Sequence, residues 1–211
     1  MPLKEVRESK NELVRYFLTI LRDERTEPKT FREYLKKLGF ALALEMSDVI
    51  NREEIRVRTP IAEAKGIAPK DKVAIVAILR AGLPMAEGVL YALDRSSLGL
   101  MAAKRIEDGE IRVEIYYENV PEADLIVIVD PMIATGTTLS ESVKRVAHKA
   151  KRIAIIGAIA APEGIEKLKR EFEGLDVPVY MIVASIDEGL NDRAFIVPGL
   201  GDAGDRSFGT I

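Results

Sequence analysis

LIVIVDPMIATGTTLSES, residues Leu125 to Ser142, decides how the rest of the chain reads. Leu125 to Val129 is an apolar, β-branched run that stops at Asp130. It is too short for a helix of its own and too apolar for an exposed strand, which leaves a buried strand of a parallel sheet. A loop of small residues follows, Ala134-Thr135-Gly136-Thr137, and an amphipathic segment then opens. Thr138 and Glu141 have capping-box spacing, which predicts a helix beginning there. A strand, a tight loop and a helix N-terminus aim several unpaired backbone N–H groups at one point. Such a point binds phosphate, and the helix dipole adds to the attraction. Read alone, the stretch also fits a plain turn that starts a helix.

The loop lacks the Gly-Lys-Ser/Thr ending of a Walker loop and the GxGxxG of a dinucleotide site. It has instead a carboxylate, Asp130, five residues before the Thr135-Gly136-Thr137 turn. A carboxylate so placed can accept hydrogen bonds from sugar hydroxyls while the loop amides hold a phosphate. This resembles the loop of the phosphoribosyltransferases that binds 5-phosphoribosyl 1-diphosphate (PRPP). Most of that superfamily has two adjacent acids there. Here Pro131 takes the second place, and Asp-Pro-Met resembles the uracil phosphoribosyltransferase branch.

Upstream, Lys72 to Leu79 reads as another buried strand, followed by Arg80-Ala81-Gly82-Leu83-Pro84 and a helix from Met85 to Leu93 with Pro84 in its first turn. Arg80 is thereby placed at the carboxyl end of a central strand, where open α/β sheets bind ligands. Its planar fork suits a pyrophosphate; the alternative is an arginine paired to a nearby carboxylate. Leu98 to Ala103 gives a further strand ending at Lys104 and Arg105, then a polar turn (Glu107 to Glu110) and an alternating strand from Ile111 to Tyr117. That hairpin is a candidate flap over the crevice. Arg105 is a second cation for a pyrophosphate, Lys104 reads as solvated, and Tyr116 and Tyr117 are expected to pack on the sheet edge.

Downstream, Ile153 to Ala161 and Val177 to Ile186 are buried strands joined by a helix from Glu163 to Phe172. Strong apolar runs alternating with helical patterns predict an α/β fold with a doubly wound, mostly parallel sheet. His148, the only histidine, reads as a surface residue, and the chain has no cysteine. A His-based triad or a thiol nucleophile is therefore not expected. At the N-terminal end, Leu13, Phe17, Ile20 and Leu21 mark a helix from Ser9 to Arg22. Thr30 and Glu33 form another capping box, ahead of an apolar stripe through Phe31, Leu35, Leu38, Leu42, Met46 and Val49. Glu45, on its flank, reads as solvated. Ile55 to Pro60 suits a short exposed strand or arm.

The 211 residues carry a net charge of −3, and 47% are hydrophobic. This composition suits one α/β domain and predicts no nucleic-acid surface. No apolar run reaches spanning length and the first residues are charged, so the sequence predicts a soluble protein with no membrane partner. Absence of cysteine fits a reducing cytosol.

The last stretch, IDEGLNDRAFIVPGLGDAGDRSFGTI from Ile186, packs Gly199, Gly201, Gly204 and Gly209 among Phe195, Ile196, Val197, Leu200 and Phe208. Glycines at this density suit neither a helix nor a regular strand, but they let backbone press around a small flat molecule. The apolar residues argue against a disordered tail. The segment closely resembles the C-terminal hood of uracil phosphoribosyltransferases. So do Leu21-Arg22-Asp23 with Thr26, Thr59-Pro60, Ile78 to Leu83, Asp130 to Thr138, Ala161 to Ile165 and Ile186-Asp187-Glu188. Two departures are Thr137-Thr138 where many members have Gly-Ser, and a shortened region around Lys104 to Asn119.

The resemblance implies a single type I phosphoribosyltransferase domain over 1–211, with a core at about 60–185 and a base-binding hood at about 186–211. It implies N-terminal helices and a β-arm or flap around that core. The implied reaction is uracil plus PRPP giving UMP and diphosphate, with Mg²⁺ carried mainly by PRPP and no metal site built from protein alone. PRPP would be held by Arg80, Arg105, Asp202 and the loop Asp130, Pro131, Met132, Ile133, Ala134, Thr135, Gly136, Thr137 and Thr138. Uracil would meet Ile196, Gly201, Asp202 and Ala203. Asp202, Arg80 and Arg105 would act on the reacting atoms. The family also implies a cytoplasmic homo-oligomer, dimer or tetramer. Some members are activated by GTP and inhibited by CTP, which adds both as effectors to test, although no stretch here marks such a site. Two other readings remain: a PRPP-sensing regulator without catalysis, and a transferase for purine or orotate.

Overall fold

The apolar runs become the centre of a sheet and the amphipathic ones cover it. The computed structural model describes residues 3–108 and 110–210, and side chains outside 105–112. The chain starts with β1 (Leu3–Glu8), α1 (Glu12–Arg22), α2 (Pro28–Glu45), β2 (Arg52–Arg58), β3 (Glu63–Pro69) and β4 (Val73–Leu79). It continues through α3 (Gly82–Ala92), β5 (Ser97–Asp108), β6 (Glu110–Asn119), β7 (Ala123–Val129), β8 (Met132–Ile133) and α4 (Thr137–Val146). The last third holds β9 (Ala150–Ala160), α5 (Pro162–Glu171), β10 (Val179–Ile186), β11 (Gly189–Leu190), β12 (Ile196–Val197) and α6 (Ala203–Phe208).

Among the described residues the main sheet has eight strands in the order β1-β10-β9-β7-β4-β5-β6, with β8 also on β9. Every pairing is parallel except the β5–β6 hairpin. This is the mostly parallel, doubly wound α/β sheet expected. Alternate residues of each strand supply two cores. Ile75, Ala77, Val127 and Val129 pack with Phe31, Leu35 and Met85 from α2 and α3. Ala74, Val76, Ile126 and Ile128 pack on the other face with Leu139, Val143, Ile165 and Leu168 from α4 and α5. The chain leaves β4 for β5 on one side, and β7 returns to β4's other side. Strand order reverses at β4, so the carboxyl ends of β4 and β7 open into the crevice such sheets use for ligands.

Several local expectations need correction. β1 was not expected; its charged KEVRE hides a parallel edge strand that pairs with β10. In α1 the buried residues are Val14, Leu18 and Leu21, whereas Leu13 is 63% exposed. Thr30 does not cap α2, because Pro28, with its preset φ, starts the helix two residues earlier. Thr138 does not cap α4 either. Gly136, at φ +73°, takes that place, and a Cβ there would meet Gly164 O at 2.9 Å.

The arm expected at 55–60 is half of a hairpin, β2 with β3, turning at Thr59–Ala62. The hood does contain regular structure, contrary to expectation: β11 pairs with β12, and α6 follows. Gly199, Gly201 and Gly209 flank these elements at positive φ, whereas Gly189 opens β11 and Gly204 lies inside α6. Tyr116 and Tyr117 are exposed, because β6 is itself the outer strand. Glu45 is half-buried and accepts a hydrogen bond from Ser9 Oγ (2.9 Å). His148 is exposed, as expected.

Candidate active site

The crevice at the ends of β4 and β7 is a cleft of about 300 Å³ lined by Leu79, Arg80, Asp130, Met132, Thr138, Asp202, Ala203 and Gly204, among others. Two close approaches set its floor. A Cβ at Gly82 would lie 2.5 Å from Val129 O, so only glycine lets the turn after β4 press against β7 and bring Arg80 beside Asp130. A Cβ at Gly164 would lie 2.3 Å from Ala134 O, which keeps the phosphate-type loop against the start of α5.

Asp130 follows β7 directly, and its Oδ1 accepts from the Met132 N–H (3.3 Å). Pro131 and Ile133 are buried, and their carbonyls accept from β9 and Ala161. They hold the loop rather than face the cleft. Gly136 caps α4 with no side-chain acceptor, so the first N–H groups of this ten-residue helix have no partner within it. Thr135 Oγ1 and Thr137 Oγ1 are 3.2 Å apart, and Thr137 Oγ1 also accepts from Lys167 Nζ of α5 (2.7 Å).

The opposite lip is the hood. Asp202 caps α6, its Oδ1 accepting from Asp205 N–H (2.9 Å). Arg80 Nη2 lies 3.1 Å from Asp205 Oδ1, and its guanidinium carbon 5.7 Å from the Phe208 ring centre. Asp202 and Ala203 line the cleft; Ile196 is buried in β12, and Gly201 (φ +76°) is the exposed residue before Asp202. The Arg105 side chain lies outside the described residues.

Two arginines fix the hood. Arg22 grips buried Asp187 through both nitrogens (2.5 and 2.8 Å) and donates to Gly199 O (2.9 Å); Asp187 also accepts from Gly199 N–H and Ser185 Oγ. Arg206 donates to the carbonyls of Leu21, Leu200 and Asp23 and stacks on Phe31 at 4.5 Å. Burial pulls the Arg206 guanidinium below its ordinary pKa. The sequence reading assigned no role to Asp205, Arg206, Lys167 or the Arg22–Asp187 pair. The pair joins segments 165 residues apart, and neither LRD nor IDE alone points to the other.

The family model described as uracil phosphoribosyltransferase matches residues 8–210. The chain belongs to the uracil phosphoribosyltransferase family. A uracil phosphoribosyltransferase of Thermococcus kodakarensis is 42% identical over 199 residues, spanning 91% of this chain and 85% of its own. One from Pyrobaculum islandicum is 40% identical over 203 residues, 92% of this chain and 94% of its own. The solved structure of the AQ2163 protein from Aquifex aeolicus superposes with a TM-score of 0.87 at 35% identity, covering 96% of this chain and 97% of that one. Family membership makes the chain a glycosyltransferase that transfers ribose phosphate to uracil.

Among the described residues no three His, Cys, Asp or Glu side chains converge to hold a metal ion. The cleft itself offers two carboxylates, Asp130 and Asp202. Among the same residues no helix is long and apolar enough to cross a membrane.

Proposed function

We propose that this cleft carries out the family reaction, uracil plus PRPP giving UMP and diphosphate, with the whole chain acting as one domain. The observation that carries the reading is the meeting of the Asp130 loop, Arg80 and Asp202 in one cleft from three distant parts of the sequence. The free N–H groups at the start of α4, with Thr135 to Thr138, take the 5′-phosphate. Asp130 accepts hydrogen bonds from the ribose hydroxyls. The C1′–O bond breaks with positive charge growing on the ribose ring and negative charge on the departing diphosphate. Arg80, and Arg105 from the β5–β6 hairpin, stabilise that diphosphate charge.

Uracil N1 attacks C1′ from the hood side. Backbone groups at Ile196 and Gly201 to Ala203 hold the base, and the Asp202 carboxylate takes the N1 proton as the new bond forms. Holding the two reactants in line is worth roughly 7–11 kcal/mol of the barrier. Two hard carboxylates suit Mg²⁺, which keeps most of its water and binds through one or two carboxylates plus substrate phosphates. Carried in mainly by PRPP, it would neutralise diphosphate charge, with Asp130 as its protein partner. A cytoplasmic homo-oligomer belongs to the same reading, with GTP and CTP as effectors to assay. The test is purified protein with uracil, PRPP and Mg²⁺, with UMP and pyrophosphate quantified. Equal amounts of both products support the reading; binding of PRPP without UMP formation would overturn it in favour of a PRPP sensor.

A further inference from the structure

Lys167 belongs to α5, which the sequence presents as an ordinary amphipathic helix with a charged outer face. Its ammonium nevertheless points inward. Nζ donates to Thr137 Oγ1 at 2.7 Å, and that hydroxyl lies 3.2 Å from Thr135 Oγ1. Thr137 is the first residue of α4, directly after the left-handed Gly136. The neighbouring acid on α5, Glu171, is hydrogen-bonded to Lys144 and only feels Lys167 through space. Among the described residues Lys167 forms no ion pair, so a half-buried positive charge is held behind the anion-binding end of α4.

We propose that Lys167 is a positioning residue for the 5′-phosphate, acting through the Thr137 hydroxyl. This rests on the reading of the Asp130 loop as the phosphate site. An ammonium has three donors and no acceptor, and a hydroxyl has one proton and two lone pairs. With Lys167 occupying one lone pair, the Thr137 proton is left to point away from α5. Its available targets are Thr135 Oγ1 and an anion at the helix N-terminus. Lys167 thereby orients a donor before the phosphate arrives, and its charge adds to the helix dipole at the same end. Donation to Thr137 also polarises the O–H bond, which strengthens the hydrogen bond that bond makes.

Lys167→Met keeps most of the apolar stem and removes the charged ammonium, while Lys167→Arg keeps the charge. The Met variant should raise KM for PRPP roughly tenfold, the scale of one charge-assisted hydrogen bond, with kcat and KM for uracil nearly unchanged. UMP affinity should fall by a similar factor, because UMP carries the 5′-phosphate. Pyrophosphate affinity should stay as it was. Lys167→Arg should restore most of the loss, and Lys167→Met should add little in a Thr137→Val background.

A lowered melting temperature with unchanged UMP affinity would reduce Lys167 to a tie between two helices and overturn the proposal. So would equal losses for UMP and pyrophosphate. Asp130→Asn serves as the control for the underlying reading. If it weakens PRPP binding while Lys167→Met does not, only the lysine proposal falls; if neither does, the loop assignment falls with it.

Discussion

Arg22 and Asp187 lie 165 residues apart and meet through two hydrogen bonds of 2.5 and 2.8 Å. The Asp187 side chain is only 1% exposed, so its charge depends on Arg22 for compensation. Removing one member of such a pair strands the other, at a cost of about 3–5 kcal/mol. Arg22→Met should lower the melting temperature and raise KM for uracil more than KM for PRPP, because Gly199 and the hood hang from the same two residues. Thermal melts and steady-state kinetics on one preparation check both effects.

Arg80 gives the opposite pattern. Its side chain is 56% exposed, and its pair with Asp205 is of the solvent-screened kind worth about 0–1 kcal/mol. Arg80→Ala should therefore leave the melting temperature nearly unchanged while PRPP and pyrophosphate bind more weakly. A large thermal loss with intact binding would make Arg80 a structural ion-pair residue. The contact with Asp205 also sets a negative charge beside the guanidinium, where it would repel diphosphate. Asp205→Asn should accordingly tighten pyrophosphate binding if the hood keeps its shape.

Asp130→Asn removes a charge with little change of volume. Each charge-assisted hydrogen bond lost to the ribose is worth about 1.5–3 kcal/mol, so kcat/KM for PRPP should fall on the order of tenfold to a hundredfold. Wild-type efficiency in this variant would remove Asp130 from the site.

Base choice should follow the backbone. Gly201 at φ +76° and the turn into α6 offer N–H and C=O groups that cannot exchange roles. Uracil presents an acceptor at O4 and a donor at N3, and cytosine reverses both. Sites built on hydrogen bonds reject such mismatches by factors of about 10⁴–10⁵. Cytosine should be essentially inert, and turnover within tenfold of uracil would defeat backbone readout. Gly201→Val should abolish uracil binding, since φ is wrong for a β-branched residue and its Cβ would crowd Arg206 Cδ at 3.1 Å.

Acid should unfold the protein through a few paired carboxyls. Burial pushes the Glu118 carboxyl up, but hydrogen bonds from Lys149 and Arg145 outweigh it and hold it below its ordinary value of 4.5. The Lys144 hydrogen bond lowers Glu171 likewise, and Arg25 brings exposed Asp23 down to about 2. Groups depressed by folding contribute stability above their unfolded pKa and lose it as pH falls through the folded one. Melting temperature should hold near neutrality and decline below about pH 4.5, where the unfolded Glu118 carboxyl begins to take its proton. Glu118→Gln should flatten part of that decline in a pH series of thermal melts.

The central strands were legible because burial on both faces requires an unbroken apolar run, as in Val73–Leu79 and Leu125 to Val129. Asp130 and Arg80 followed, since each stands where such a run ends. β1 was not legible, because an edge strand tolerates the charges of KEVRE. Helix starts were misread at Thr30 and Thr138 because proline and a left-handed glycine outranked hydroxyl caps. The density of glycine concealed α6, and no local pattern could reveal that Arg206 reaches Leu21 or that Lys167 turns toward Thr137.

Arg206 has one more consequence, for the order in which a newly made chain becomes competent. Its partners at Leu21 and Asp23 leave the ribosome more than 180 residues before it does, at separations of 185 and 183. The sheet and the Asp130 loop are complete in sequence by β10, so a nascent chain can assemble a phosphate pocket while the base pocket still lacks its closing segment. Capture of uracil is then the last property the polypeptide acquires during synthesis. A chain interrupted just short of Arg206 should therefore keep the Asp130 loop and lose uracil binding, which ligand titration of the truncated product checks.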